Sequence, residues 1–166
     1  MTIADFVKAI RGRKCVACIG GSGAGSVIGL GIGNRLRRVR PLKNPTLSEI
    51  DKNNATEFEL TVFCAWRMSR EQRVICAWRD ASESDTWKQL SAMIGRKIVS
   101  AEVHPHFYDL TIVFEGEIVF DVFCDVTTDE EDENNYIFSD DSYVSSVDAN
   151  FEQAKPERRM GVFSAT

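Results

Sequence analysis

A short segment that occurs twice constrains this chain more than any other feature. Ala9-Ile10-Arg11-Gly12-Arg13-Lys14-Cys15-Val16 returns as Met93-Ile94-Gly95-Arg96-Lys97-Ile98-Val99. Each copy closes a short amphipathic stretch and opens an apolar, extended one. The spacing carries on beyond the match. Fourteen residues past Gly12 stands Ser26, opening SVIGLGIG, and fourteen past Gly95 stands Asp109, opening DLTIVFEG. The expectation is one helix-then-strands unit used twice, with halves at 1–82 and 83–150 inside a single domain of residues 1–166 and a loose tail at 151–166. The repeat itself carries no chemistry.

The apolar spacing sets the helices. Ile3, Phe6, Val7 and Ile10 fall at i, i+3, i+4 and i+7, a stripe that predicts a helix over 3–11. Thr2 is its N-cap, with Asp5 in the reciprocal capping-box place, and Gly12 ends it. Trp87, Leu90, Met93 and Ile94 predict a second helix over 86–94, capped by Ser84 or Asp85 and ended by Gly95. Most of the rest reads as strand. Residues 27–32 and 35–39 flank Gly33-Asn34 as a hairpin, and residues 58–68 and 73–79 flank a turn at 69–72 as a second. Residues 98–103, 110–114 and 118–124 form a meander, followed by short strands at 136–138 and 143–147. Alternation in Leu110, Ile112, Phe114 and in Val119, Asp121, Phe123 marks half-buried antiparallel strands. The stretch 44–54 reads as a polar loop. The fold class is therefore α+β: mainly antiparallel sheet, two short helices and two pseudo-duplicated halves.

Composition bounds the function classes. A chain of 166 residues buries a core without disulfide or metal staples. No apolar run approaches the ~20 residues of a membrane span, and the first residues lack the apolar core of a secretory signal. A cytoplasmic location is expected. Five cysteines, all among apolar neighbours, read as reduced core thiols. Net charge is -5 but polarised: residues 1–43 carry nine Lys/Arg against Asp5 alone. The sharpest acidic region runs from 125 to 141, with eight acids and no base.

Several motifs resemble reactive sites without completing one. Gly20-Gly21-Ser22-Gly23-Ala24-Gly25-Ser26 is followed by a strand pattern, so no helix N-terminus receives a pyrophosphate. It also lacks the P-loop lysine. Cys15-Val16-Ala17-Cys18 is a lone CxxC whose cysteines would point to opposite faces of a strand. His104-Pro105-His106 with Asp109 is the histidine cluster; without a neighbouring nucleophile it reads as a turn. No catalytic residue, cofactor or metal is expected. Arg35, Arg37, Arg38, Arg40 and Lys43, with Arg13 and Lys14, make a basic stretch that fits either phosphates or a solvated edge strand. Cys64-Ala65-Trp66-Arg67 and Cys76-Ala77-Trp78-Arg79 lie one on each arm of a hairpin. They fit cross-strand packing, or an Arg/Trp binding surface in which Trp66 and Arg67 are anchors.

Read in order, Gly25-Ser26, Cys64-Ala65-Trp66-Arg67, Ile94-Gly95, Asp109-Leu110-Thr111-Ile112 and Val113-Phe114-Glu115-Gly116 form a pattern. It resembles small bacterial cytoplasmic proteins similar to immunity proteins of polymorphic-toxin systems. Those show a glycine-serine strand, a Trp-Arg strand, a "Leu-x-Gly…Asp-Leu-x-Leu-x-Phe-x-x-Gly" run and a late tryptophan, whose place Tyr136 holds here. The resemblance covers most of residues 12–138. It implies a non-enzymatic inhibitor that occludes a toxin's active site.

The partner expected on this reading is a basic toxin domain. Asp129, Glu130, Glu131, Asp132, Glu133, Asp140 and Asp141 would face it, with Tyr136 and Phe138 as apolar anchors. Two alternatives stay open: a nucleic-acid binder using the basic N-terminal region, and a small enzyme using His104, His106 and Asp109. No membrane contact is expected, and a homodimer is left open.

Overall fold

The first helix forms as its capping residues dictate. Thr2 Oγ1 accepts from Asp5 N at 3.1 Å, and Asp5 Oδ2 accepts from Thr2 N at 3.2 Å, so α1 (Ile3–Ile10) starts with a complete capping box. Its stripe of Ile3, Phe6, Val7 and Ile10 is buried. Gly12 follows at φ +79°, a conformation that favours glycine.

A computed structural model describes residues 1–20, 27–80, 83–126 and 134–159. In chain order the elements after α1 are β1 (Cys15–Ile19), β2 (Ile28–Arg37), α2 (Glu49–Asn53), β3 (Asn54–Val62), β4 (Ala65–Arg70) and β5 (Arg73–Ala77). Then come α3 (Glu83–Leu90) with a 3-10 turn at Ser91–Met93, β6 (Ile98–Val103), β7 (Leu110–Phe114), β8 (Ile118–Phe123), β9 (Asn134–Ser139), β10 (Tyr143–Asp148) and β11 (Glu157–Arg158). The strands build two sheets, ordered β1-β2-β3-β9-β10-β11 and β5-β4-β8-β7-β6. All pairings are antiparallel. The fold is α+β.

The chain changes sheet twice, between β3 and β4 and again between β8 and β9. A division at residue 82 therefore does not separate the sheets, because β4 and β5 pair with the β6–β8 meander. The two Gly-Arg-Lys segments meet. Lys14 and Lys97 form an antiparallel bridge. Gly12 N donates to Ile98 O as Gly95 N donates to Cys15 O. Ile98 N donates to Arg13 O as Cys15 N donates to Arg96 O. Gly95 has φ +83°, close to that of Gly12.

One hydrophobic cluster draws on both sheets and on α1 and α3. Phe6 lies 6.2 Å from Phe58 and 5.4 Å from Phe138, ring to ring, which ties α1 to the first sheet. Trp66 stacks on Phe120 at 5.9 Å within the second. Tyr136, buried entirely, donates its hydroxyl to Tyr108 O at 2.9 Å, as a buried phenol requires.

Five expectations are corrected. Gly33-Asn34 is no hairpin turn: β2 runs unbroken through it, with a bulge against β3 between Ile32 and Arg35. A two-residue type I′ turn needs positive φ at both positions, and only Gly33, at +85°, has it. The 58–68 strand divides at Phe63-Cys64, where the chain passes between sheets. The 44–54 loop contains a third helix, α2, capped by Ser48 accepting from Asp51 N at 3.1 Å. The second main helix begins at Glu83, ahead of both expected caps. The tail is tied down as far as Arg159: Gln153 bridges Val147, β11 pairs with β10, and Gln153 Oε1 accepts from Ile3 N at 2.9 Å. That last bond satisfies one of the free N–H groups at the start of α1.

The turn at 69–72 is tighter than expected. Glu71 and Gln72 hold φ 51° and 61°, so β4 and β5 meet in a two-residue turn made without glycine.

Candidate functional site

The second sheet presents one face to the core and one to solvent. In β7 the burial alternates strictly, with Leu110, Ile112 and Phe114 inside; in β8 Ile118, Phe120 and Val122 are inside. The intervening residues must point outward. Register then aligns them into rows. One row crosses all five strands as Ala77, Arg67, Asp121, Thr111 and Glu102. The next carries Val74, Ser69, Val119, Val113 and Ser100.

The central row is held by polar contacts. Asp121 Oδ2 accepts from Arg67 at 2.8 Å, and Asp121 Oδ1 accepts from Thr111 Oγ1 at 2.9 Å. The Arg67 guanidinium also sits 5.0 Å from the centre of the Phe123 ring, within cation–π range. Arg67 is thus held in place on an exposed surface beside a half-buried aromatic ring. Of the anchors expected from sequence, Arg67 is the one that lies on a face. Sequence reasoning missed Asp121, Thr111, Glu102 and Phe123 as its neighbours, although the alternation in 110–114 and 118–123 marked the parity of all of these but Glu102.

Three expected anchors are corrected by their burial. Trp66 is 3% exposed, and Tyr136 and Phe138 are 0% exposed, so all three are core residues with no surface to offer a partner. The cause is parity: Trp66 alternates with Arg67 on β4, and Tyr136 and Phe138 share the inward face of β9. Asp140 and Asp141 shape the β9–β10 turn instead of standing free. Asp140 Oδ1 accepts from Ser142 N and Tyr143 N at 2.8 and 2.6 Å, and Asp141 Oδ1 accepts from Ser142 Oγ at 2.9 Å. Asp129, Glu130, Glu131, Asp132 and Glu133 lie outside the described residues, as does most of the glycine-rich run.

The basic stretch is partly neutralised within the chain. Arg13 pairs with Glu57 at 3.1 Å, Arg35 with Asp51 at 2.7 Å, and Arg38 approaches Glu59 at 3.8 Å. Lys14, Arg37, Arg40 and Lys43 have no acidic partner among the described residues. His104 and His106 meet edge to face at 5.9 Å in an exposed turn, where His104 also stacks on Phe107 at 5.0 Å, whereas Asp109 Oδ1 accepts from Cys124 N at 2.8 Å.

Cys15 and Cys18 do not point to opposite faces. A bulge between Cys15 and Ala17 resets the alternation and buries both. Burial pushes the Cys15 thiol up to about 12 and raises that of Cys18 further in the same direction. Among the described residues no group of three or more His, Cys, Asp or Glu side chains is arranged to hold a metal ion, and no helix is long and apolar enough to cross a membrane.

A cavity of about 130 Å³ lies on the first sheet. Gly29 and Gly31 line it, together with the loop before α2 and the side chains of Arg35, Arg38, Asp51 and Glu59. No family model, curated protein or solved structure matches the chain.

Proposed function

We propose that the chain is a binding protein of the immunity type, which neutralises a basic protein partner by covering it with the solvent-facing side of the β5-β4-β8-β7-β6 sheet. The observation that carries this reading is the row Ala77, Arg67, Asp121, Thr111 and Glu102. It offers an ordered arginine beside an aromatic ring, the residue types that anchor interfaces, and it runs toward acids on the β6–β8 side. From residue 98 to residue 126, the stretch that carries the β6–β8 meander, the chain has six acids and no Lys or Arg. Such a surface speeds encounter with a basic partner and disfavours acidic ones. Bases at Arg70 and Arg73 confine the acidic part to the β8-β7-β6 side.

The test begins with affinity capture by the wild-type protein and by Glu102→Lys, followed by reconstitution with the purified partner. The reading requires that a basic protein bind wild type, that its activity fall on binding, and that Glu102→Lys weaken both. Equal binding by Glu102→Lys, or capture of nucleic acid through the Lys14 and Arg37 region, overturns it.

We also propose that the two Gly-Arg-Lys segments are copies of one unit. In support, β1-β2-β3 and β6-β7-β8 are both antiparallel meanders in which the bulge falls at the second residue of the first strand.

A further inference from the structure

The cavity on the first sheet has a floor, a roof and an incompletely bonded cation. Its floor is low because β2 places Gly29 and Gly31 there. The two glycines differ. A methyl on Gly31 would meet Thr56 at 2.8 Å, whereas one on Gly29 would meet only Ile19, at 3.8 Å. Gly31 is needed for the packing of the sheet, while Gly29 leaves open space. The roof is the chain between β2 and β3, folded back by Arg38 N to Asn53 O and Leu42 N to Lys52 O, both 2.9 Å. It brings Leu42 and Leu47 over the glycines.

Arg38 is the cation. Its side chain is 16% exposed. Its Nε donates to Asn54 O at 3.1 Å. Its two terminal nitrogens have no hydrogen-bond acceptor among the described residues, since Glu59 Oε1 stands 3.8 Å away. Glu59 is engaged elsewhere: its Oε2 accepts from Arg159. Arg35 is occupied by Asp51 and by Val16 O. Arg38 therefore makes one hydrogen bond and one 3.8 Å ion pair, and its terminal N–H groups keep the capacity to donate to an anion. A guanidinium presents two parallel N–H donors that match a carboxylate.

We infer that this cavity binds a small carboxylate with a compact apolar body, the carboxylate on Arg38 and the body over Gly29 beneath Leu42 and Leu47. The volume sets the size: a cavity of roughly 150 Å³ takes up benzene, so about 130 Å³ admits a body no larger than one phenyl ring. The site lies on the other sheet from the proposed partner face, so it stands or falls separately.

Sodium benzoate is the probe, with benzamide and benzylamine as neutral and cationic isosteres, measured by calorimetric titration and by thermal shift on the full chain. Benzoate is expected to bind and raise Tm; the two isosteres are expected to do neither. Gly29→Val, whose Cβ would make only ordinary 3.8 Å contacts with Ile19, is expected to abolish binding while keeping the wild-type circular dichroism spectrum. Arg38→Lys, which keeps the charge but loses the fork, is expected to weaken binding by roughly tenfold or more. The inference is overturned if wild type shows no benzoate heat or shift, if benzamide binds equally well, or if a folded Gly29→Val binds benzoate as wild type does.

Discussion

Replacing Gly31 by alanine and Gly29 by alanine should give opposite results, although the two glycines are two residues apart on one strand. Both have negative φ, so backbone strain does not separate them; their neighbours do. At Gly31 the new methyl would lie 2.8 Å from Thr56 Cγ2, 3.0 Å from Thr56 Oγ1 and 3.1 Å from Ala17 Cβ. Thr56 cannot rotate away without losing the bond from its hydroxyl to Phe58 O at 2.9 Å. Forcing a methylene into a closed site costs about 1–3 kcal/mol. At Gly29 the methyl meets ordinary contact at 3.8 Å, and the stiffer unfolded chain adds about 0.4–1 kcal/mol of stability. Each kcal/mol moves Tm by about 2–4 °C in a domain of this size. Urea denaturation followed by tryptophan fluorescence measures both variants. Thr56→Ser, which removes Cγ2 but keeps the hydroxyl, should recover part of the Gly31→Ala loss, with a coupling of at least about 0.5 kcal/mol. If Gly31→Ala and Gly29→Ala are equally stable, or Thr56→Ser recovers nothing, the close approach of β2 to β3 is misplaced.

Other outcomes follow from the same geometry. Trp66→Ala should cost about 3–5 kcal/mol in a denaturant titration, and Trp78→Ala, half-buried at the sheet edge, should cost less. Gln72→Gly should stabilise the protein by about 1 kcal/mol, because it relieves a left-handed residue in the β4–β5 turn. A thiol reagent at pH 8 should react rapidly with at most Cys124, since the other four cysteines are buried and Cys15 and Cys76 are both pushed up to about 12, chiefly by burial. All five should react in denaturant. Burial alone would raise the Asp51 carboxyl, but hydrogen bonds from Arg35 and Ser48 outweigh it and hold it below 3.8. Its stabilisation of the α2 roof is then present above pH 3.8 and lost as pH falls through the lowered value. The Tm gap between wild type and Asp51→Asn should close over that range.

The sequence was most legible where one physical rule acted alone. The Thr2–Asp5 capping box, the buried stripe of α1 and the alternation of β7 and β8 followed directly from spacing. It was least legible where long-range pairing decided the outcome. Gly33 carries a hairpin signal, but β1 and β3 flank β2 on both sides, so the glycine serves a bulge. Cys15 and Cys18 change sides because of a bulge no local pattern announces. The passage between sheets at Phe63-Cys64 lies inside one apolar run, so periodicity continued through it. The site divides in the same way. Arg67 was visible as a residue, but its row was not, because register across five strands from distant parts of the chain assembles Arg67, Asp121, Thr111 and Glu102. Trp66, Tyr136 and Phe138 misled because aromatic residues anchor interfaces and cores alike. Arg38 looked like one more charge in a basic stretch; its incomplete bonding emerges only once the roof folds over it.

The proposed partner face is tested most directly by the association rate of the purified basic partner with three proteins: wild type, Val119→Arg at the centre of the second sheet's solvent face, and Ser146→Arg on β10 of the first sheet. Rates should be taken at low and at physiological salt, where exposed charges are screened beyond about 8 Å. The account predicts fast, salt-sensitive association for wild type and Ser146→Arg, and slow association for Val119→Arg. Equal rates for Val119→Arg and wild type, or a loss confined to Ser146→Arg, would place the interface elsewhere and contradict it.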